Sequence, residues 1–342
     1  MKLKRLKAVK KEGLGVNILS RSKLRYEEGV DIPDGAVHEF ARAGSGLAGF
    51  QGRLVAVQDD ADFLVVIDSQ NFEVRPYAIP IGLGSARLYD DRDETARPDS
   101  KSDLEACFCF ALNQTPCVIS LGSGVMDVRK RIIVTTFPEG EPHFRSFNSE
   151  QFHRTLDDLL QPHGAGLNIE GAVCGSGNEV FIFSRGDKGE EPQDAIFVLN
   201  KQEFEQYLLR PEADNVPQPT ALYLCDLGDL DGRPLTFSDA ELVGDKILFS
   251  LSSESDDGAG ESFLGIWQDE QLTIATGAGL PLEAKIEGVA LLGDRLYLIN
   301  DEDDFQKPAS LFEIELIGDW SLYQRSIASE ANGACEFSLA GM

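Results

Sequence analysis

Four acidic residues stand at the starts of apolar, strand-like segments of this sequence. They are Glu105 in SDLEACFCF, Glu170 in LNIEGAV, Asp239 in FSDAELV and Glu287 in KIEGVAL. Carboxylates that converge repel one another and tend to hold their protons unless a cation relieves the conflict. Ca²⁺ accepts a loose cage of carboxylate, amide and water oxygens. If the four segments meet in the fold, these acids therefore predict a calcium site.

Further polar residues lie two positions before three of these acids. Because side chains two apart in a strand share a face, Asp103, Asn168 and Lys285 are expected on the same surface as the corresponding glutamates. Lys285, together with Arg129 and Arg185, could instead bind a phosphate or carboxylate group of a ligand. A structural alternative stays open, because acids at strand starts lie near solvent, where water or basic side chains neutralise them.

Three other motifs fit a metal or catalytic site less well. The run DEDD (301–304) follows a second strand that runs opposite to the one beginning near Glu287, so we expect it away from Glu287, as a solvated loop or a separate surface calcium site. DLGDLDG (226–232) lacks the first and last ligands of an EF-hand loop and predicts a turn. LGSGVMDVRKR (121–131) could offer backbone N–H groups to an anion, but it lacks Walker A spacing.

Short β-strands dominate the elements that must position these residues. Segments such as RLVAVQDD, PCVISLGSG, EVFIFSRG and RLYLIND are rich in β-branched or aromatic residues and are bounded by Gly, Asp, Asn or Pro. Two segments predict helices, 149–163 and 201–210, and both are expected as insertions between strands.

The segment around each acid recurs along the chain, with Ser45, Glu105, Glu170, Asp239 and Glu287 as equivalent anchors. Turn lengths differ at Ser45 and Asp239, so the register there is open by about one position. A unit of roughly 40–60 residues with four antiparallel strands is typical of a β-propeller blade. The sequence therefore predicts an all-β fold, a single β-propeller domain over 1–342. We expect six blades, the sixth formed by the first 44 residues and the C-terminal tail, with five blades as the alternative. The anchors then meet at one mouth of the central channel.

Charge and composition exclude several classes of partner. Acids outnumber Lys and Arg by 58 to 31, a formal net charge of −27, so neither nucleic acid nor an anionic membrane is expected as a partner. No apolar run suits a membrane span or a secretory signal, and the six cysteines form no CxxC pair, so we expect a reduced, cytoplasmic protein. The four histidines include His153, for which we expect a surface role, so acid–base chemistry falls to carboxylates, Lys285 or metal-bound water.

Several motifs together resemble an uncharacterised bacterial family of β-propeller proteins. They include KSDLEA (101–106), LNIEGA (167–172), DLG-LDG-P (226–234), FSDA (237–240) and KIEG…DEDD…PASLFEIEL (285–316). That family is similar in turn to the phytase-like and esterase-like propellers, in which a Glu-Gly pair at a strand start faces the channel and in several members binds Ca²⁺. The resemblance implies this role for Glu170 and Glu287, with Glu105 and Asp239 as Glu-Ala and Asp-Ala variants.

Two functions fit these observations. The first is a non-catalytic propeller whose acidic, cation-binding mouth takes a small anionic ligand or a protein partner. The alternative is a Ca²⁺-dependent phosphoesterase, esterase or lactonase-like hydrolase, in which the four anchor acids hold the metal and basic residues bind the substrate. The fold hosts both kinds of protein, and no complete catalytic constellation is visible, so the first function is favoured.

Overall fold

The computed structural model describes residues 1–31, 37–81, 101–186, 193–212, 215–254, 260–302, 304 and 306–320. In these residues, five sheets of four or more strands form the blades of a β-propeller. Their inner strands stand side by side in a closed ring around the channel. The all-β propeller is thus confirmed; the preferred count of six blades is wrong, and the five-bladed alternative is correct. No helix in the described ranges is long and apolar enough to cross a membrane.

The N-terminal segment explains the wrong count, because it adds outer strands to existing blades where a sixth blade was expected. It contains β1 (Lys2–Lys7), β2 (Val9–Lys11), β3 (Gly15–Lys23), β4 (Arg25–Asp31) and β5 (Val37–Phe40). The strands β1, β2 and β3 lie at the outer edges of the third, fourth and fifth blades, and the pair β4–β5 at that of the first. The predicted contribution of the C-terminal tail beyond residue 320 lies outside the described residues.

Blades 1 and 2 follow in chain order, each beginning with its innermost strand. Blade 1 consists of β6 (Gly46–Phe50), β7 (Arg53–Val57), β8 (Phe63–Asp68) and β9 (Val74–Ala78), with β4 and β5 outside β9. Blade 2 consists of β10 (Leu104–Leu112), β11 (Thr115–Gly122), β12 (Arg131–Thr136) and β13 (His143–Asn148). Neighbouring strands within each set of four are antiparallel.

Blades 3, 4 and 5 each receive an N-terminal strand at the outer edge. Blade 3 consists of β14 (Ile169–Cys174), β15 (Glu179–Ser184), β16 (Asp194–Asn200), β17 (Ala221–Asp226) and β1. A small hairpin, β18 (Asp229–Leu230) and β19 (Arg233–Pro234), leads to blade 4, which consists of β20 (Thr236–Val243), β21 (Lys246–Glu254), β22 (Gly260–Gln268), β23 (Gln271–Ala275) and β2. Blade 5 consists of β24 (Lys285–Leu292), β25 (Arg295–Asp301), β26 (Ser310–Ile317) and β3.

Apolar clusters fill the spaces between neighbouring blades, because each sheet presents alternate side chains to both of its faces. The two predicted helices are confirmed as α1 (Glu150–Leu160) and α2 (Lys201–Leu209). They bury Phe152, Leu156, Phe204 and Tyr207 in the cluster between blades 2 and 3. The helices therefore belong to the core that fixes the angle between these blades.

Candidate functional site

A β-bulge opens the inner strand of three blades and aims one acid into the channel mouth. The register shifts at Glu105 in blade 2, at Glu170 in blade 3 and at Glu287 in blade 5, so each glutamate is the extra residue of its bulge. Bulges commonly redirect a side chain in this way. All three glutamates line one cavity of about 250 Å³.

The glycine after the bulged glutamate has a packing role, which explains the Glu-Gly pairs of the sequence. A Cβ on Gly171 would lie 2.8 Å from the Cα of Asp239 on the next inner strand, and one on Gly288 would lie 2.9 Å from the Cβ of Leu47. Inner strands converge so closely here that glycine is needed for the ring to close.

The cavity gathers most of the residues that the sequence singled out. Eight of the nine predicted site residues line it, together with two residues that the sequence analysis did not select. The lining residues are Asp59, Asp103, Glu105, Val125, Arg129, Asn168, Glu170, Arg185, Lys285 and Glu287. The ninth predicted residue, Asp239, lies elsewhere.

On one side of the cavity, Lys101 and Arg129 both form ion pairs with Asp103. The Lys101 ammonium lies 2.9 Å from Oδ1 of Asp103 and also forms an ion pair with Asp59. Nη1 of Arg129 lies 2.8 Å from Oδ2 of Asp103, and the Ser123 hydroxyl donates to the same oxygen. Lys101 lowers the pKa of Asp59, although burial alone would raise it. Asp59 and Asp103 therefore each already have a cationic partner.

The other side of the cavity holds a second set of ion pairs. An Nη atom of Arg185 lies 3.0 Å from Oε2 of Glu170 and 3.6 Å from Oε1 of Glu287. The Asn168 amide donates to Oε1 of Glu170 at 2.7 Å. The Lys285 ammonium lies 3.1 Å from Oε1 of Glu287. Burial raises the pKa of Glu170 to about 8, with Arg185 opposing the shift, and burial also raises the pKa of Glu287.

Glu105 differs from the other acids of the cavity because it has no hydrogen-bond or ion-pair partner among the described residues. Burial raises the pKa of Glu105 well above its usual range, and the neighbouring Asp103 and Glu170 raise it further. Burial and the neighbouring acids therefore both favour the protonated form of this carboxyl group. Two buried atoms of residues that line the cavity also lack hydrogen-bond partners among the described residues: Nε of Arg129, a donor, and Oδ1 of Asp59, an acceptor.

The expectation that Asp239 shares the mouth with the three glutamates does not hold. In blade 4 the register shift falls at Ser238, so Ser238 takes the bulged position and Asp239 comes one residue later. The Asp239 side chain is fully buried within the ring. Its Oδ2 accepts hydrogen bonds from the backbone N–H groups of Val289, at 2.8 Å, and Leu47, at 3.4 Å. Asp239 thus joins the inner strands of blades 4, 5 and 1.

The expected separation of the 301–304 run from Glu287 is also wrong. In an antiparallel pair the end of the second strand lies beside the start of the first, and Asp301 pairs in register with Lys285. The Asp301 carboxylate lies 3.5 Å from the Lys285 ammonium, so this run begins at the mouth. Asp303 lies outside the described residues.

The ends of the second strands also bring residues to the mouth that the sequence pattern did not indicate. Asp59 follows the end of β7, as Arg185 follows the end of β15, so both reach the mouth from second strands.

His153, expected at the surface, is fully buried, and its Nε2 lies 3.1 Å from the backbone oxygen of Gly122. It fixes the loop that carries Arg129.

A metal ion has one possible set of ligands in the described residues. One oxygen each from Asp59, Asp103 and Glu105 lie within 4.8 Å of one another, as the ligands of a hard cation would. The Lys101 ammonium already pairs with two of these acids. The predicted calcium site therefore stays a prediction, and only Glu105 belongs both to this set and to the four acids first proposed.

The chain belongs to a family of unknown function (DUF6929), whose model matches residues 41–316. Membership of an uncharacterised family was expected from the sequence and is confirmed; the similarity to phytase-like propellers stays a prediction. No curated protein matches the chain.

Solved structures of three glycoside hydrolases are similar to the chain at low identity. An α-L-arabinofuranosidase from Podospora anserina is 12% identical, with a TM-score of 0.46, over 87% of this chain and 97% of that one. A family-43 β-1,3-galactosidase is 8% identical, with a TM-score of 0.46, over 85% and 94%. The catalytic domain of a Coprinopsis cinerea GH62 α-L-arabinofuranosidase is 12% identical, with a TM-score of 0.43, over 85% and 97%. Likeness at this level says nothing of activity.

Proposed function

We propose that this propeller binds a small ligand at its channel mouth, and that the ligand enters with a cationic group. The observation that carries the proposal is the state of Glu105. This carboxyl group faces the cavity without a partner among the described residues, while the cavity's other acids are paired. A ligand cation supplies the partner that Glu105 lacks.

The charges around the cavity support the same proposal. Five acids face it, and four basic side chains lie among them when Lys101 is included with the lining residues. Asp301 also pairs with Lys285, so acids outnumber basic side chains by two in this described set, and a proton on Glu105 neutralises part of the excess. A ligand ammonium group can replace that proton and form an ion pair with the ionised Glu105 in a partly buried site.

A calorimetric titration with small primary amines tests this proposal. Affinity should rise with pH, because binding requires Glu105 to release a proton that burial helps it to keep. Glu105→Gln should weaken binding about tenfold or more, since hydrogen bonds to charged groups contribute about 1.5–3 kcal/mol. The matched control is Glu315→Gln, at an exposed position of blade 5 away from the lining residues. Equal amine affinity in wild type and Glu105→Gln at every pH would reject the proposal.

A calcium-dependent role is the second candidate, because the oxygens of Asp59, Asp103 and Glu105 lie close enough to share one cation. Ca²⁺ would have to displace the Lys101 ammonium from two of these acids, so Lys101→Met should strengthen Ca²⁺ binding. Thermal melting with added Ca²⁺ and with EDTA measures this directly. A Ca²⁺ response in wild type that Asp59→Asn abolishes would justify assays on phosphoesters, esters and lactones. Identical melting with Ca²⁺ and with EDTA would count against both the metal and the hydrolase role.

A further inference from the structure

An apolar lip borders the charged cavity on the blade 2 side. We define the lip as Val125, Met126 and Val128, in the loop that joins β11 to β12. Their side chains are 42%, 37% and 40% exposed, although the cavity beside them is lined almost wholly by charged groups. Single exposed apolar side chains are ordinary, but a cluster beside a cavity marks a surface that binds something.

The loop that carries the lip is fixed at its base. Ser123 and Arg129, on either side of the lip, both bind the Asp103 carboxylate. The Ile169 backbone N–H donates to the Ser123 backbone oxygen at 2.8 Å, and the buried His153 ring lies against Gly122 and Gly124. The lip side chains are therefore held outward by a tethered loop.

Cavity size and lining indicate what the lip contacts. The cavity of about 250 Å³ is smaller than the roughly 300–1,000 Å³ of pockets that enclose a whole drug-sized ligand. It can take a polar group and little more, so the rest of a larger ligand must leave through the mouth. Val125 is the one apolar residue among those described as lining the cavity, and it is also the first residue of the lip. Val125 therefore offers an apolar contact at the cavity, and the exposed Met126 and Val128 follow it in the same loop.

We propose that the ligand is an amphiphilic amine, with its ammonium group at Glu105 and its apolar chain or ring across the lip. This inference rests on the function proposed above and adds the chemical class of the ligand. The charged lining of the cavity disfavours an apolar group inside, because neighbouring ion pairs would lose their solvation. Contact with the lip removes the same group from water without that penalty.

A homologous series of amines tests the inference. Methylamine, butylamine, hexylamine and octylamine share the ammonium group and differ only in apolar length. In wild type, affinity should rise about fourfold for each methylene group that reaches the lip, the factor equivalent to burying a methylene group. In the triple variant Val125→Ser, Met126→Ser, Val128→Ser, the rise in affinity from methylamine to octylamine should disappear.

A matched control replaces three exposed apolar residues on the outer edges of other blades, Leu3, Ile18 and Leu19, by serine. This control should keep the full rise with chain length, and melting curves check that both triple variants stay folded. Equal affinity along the series in wild type would overturn the inference, and so would an unchanged rise in the lip variant. Failure of every amine, methylamine included, would instead reject the proposed function together with the inference that rests on it.

Discussion

Replacement of Asp239 by alanine is expected to weaken the ring and to leave the mouth able to bind. The buried Oδ2 accepts the N–H groups of Leu47 and Val289 from two other inner strands. Both of these residues are fully buried, so no water replaces the lost acceptor. A buried donor without a partner costs about 1–3 kcal/mol, so two such donors cost about 2–6 kcal/mol. That is a large part of the roughly 5–15 kcal/mol that stabilises an ordinary protein.

Asp239→Asn separates the contribution of the Asp239 hydrogen bonds to stability from that of its titration. An asparagine oxygen can still accept both cross-strand N–H groups, so its loss should be smaller than that of alanine. Burial raises the pKa of Asp239 well above its usual range, so folded Asp239 keeps a proton that the unfolded chain has released. Wild-type stability must then fall as pH rises above about 4, by up to about 1.4 kcal/mol per pH unit. Asparagine removes this slope, so the difference between Asp239→Asn and wild type should shrink as pH rises.

Guanidinium unfolding followed by the fluorescence of Trp267 and Trp320 measures both effects. Asp158→Ala, an exposed substitution on α1, is the control for the loss of an aspartate. If Asp239→Ala unfolds like wild type but no longer binds at the mouth, the structural role argued for Asp239 is wrong. Asp239 would then belong to the mouth site, as the sequence first indicated.

Three further predictions follow from the same structure. Glu105→Gln should raise the free energy of unfolding more at pH 8 than at pH 5, because burial raises the pKa of Glu105 and the folded wild type keeps a proton that the unfolded chain releases. A pH series of melting curves checks this, and an equal change at every pH would contradict it. Gly171→Ala places a methyl group 2.8 Å from the Cα of Asp239 and should lower the free energy of unfolding by about 1–3 kcal/mol. Gly166→Ala is the control, because its methyl group meets no atom within 4 Å. Equal unfolding midpoints for the two variants would argue against the close approach at Gly171. Lys2 and Lys4, both in β1, lower the pKa of Glu270 to about 2, so the ion pairs that tie β1 to Glu270 should be lost as pH falls from about 4.5 towards 2. Hydrogen exchange of β1 should quicken over that range, and Glu270→Gln should abolish the pH dependence.

The sequence was sufficient for the repeat, because each blade must bury its own alternating strands and so repeats one pattern. It was insufficient for the blade count, because an isolated strand does not show which sheet edge it will join. The first 31 residues have strand character, and only long-range pairing decides between a new blade and the edges of four existing ones.

The site shows the same division. Glu105, Glu170 and Glu287 were predictable because the bulge, the glutamate and the small residue after it recur together. The register at Asp239 was open by one position, and the bulge at Ser238 moved this aspartate from the cavity into the ring. Asp59 follows a second strand and is not one of the repeated anchors, and only the fold brings it to Lys101.

The outer strands of the N-terminal segment also constrain how the protein can be made. The segment is synthesised before the strands that it joins. Because β1 pairs with β17, β2 with β23 and β3 with β26, the last of these partners is complete only near residue 317. Until then its edges are unpaired and exposed to other chains. The lysines of MKLKRLKAVKK discourage such pairing during this wait, since repeated positive charge opposes strand association. The sequence of its first residues is thus suited to the nascent chain as well as to the finished ring.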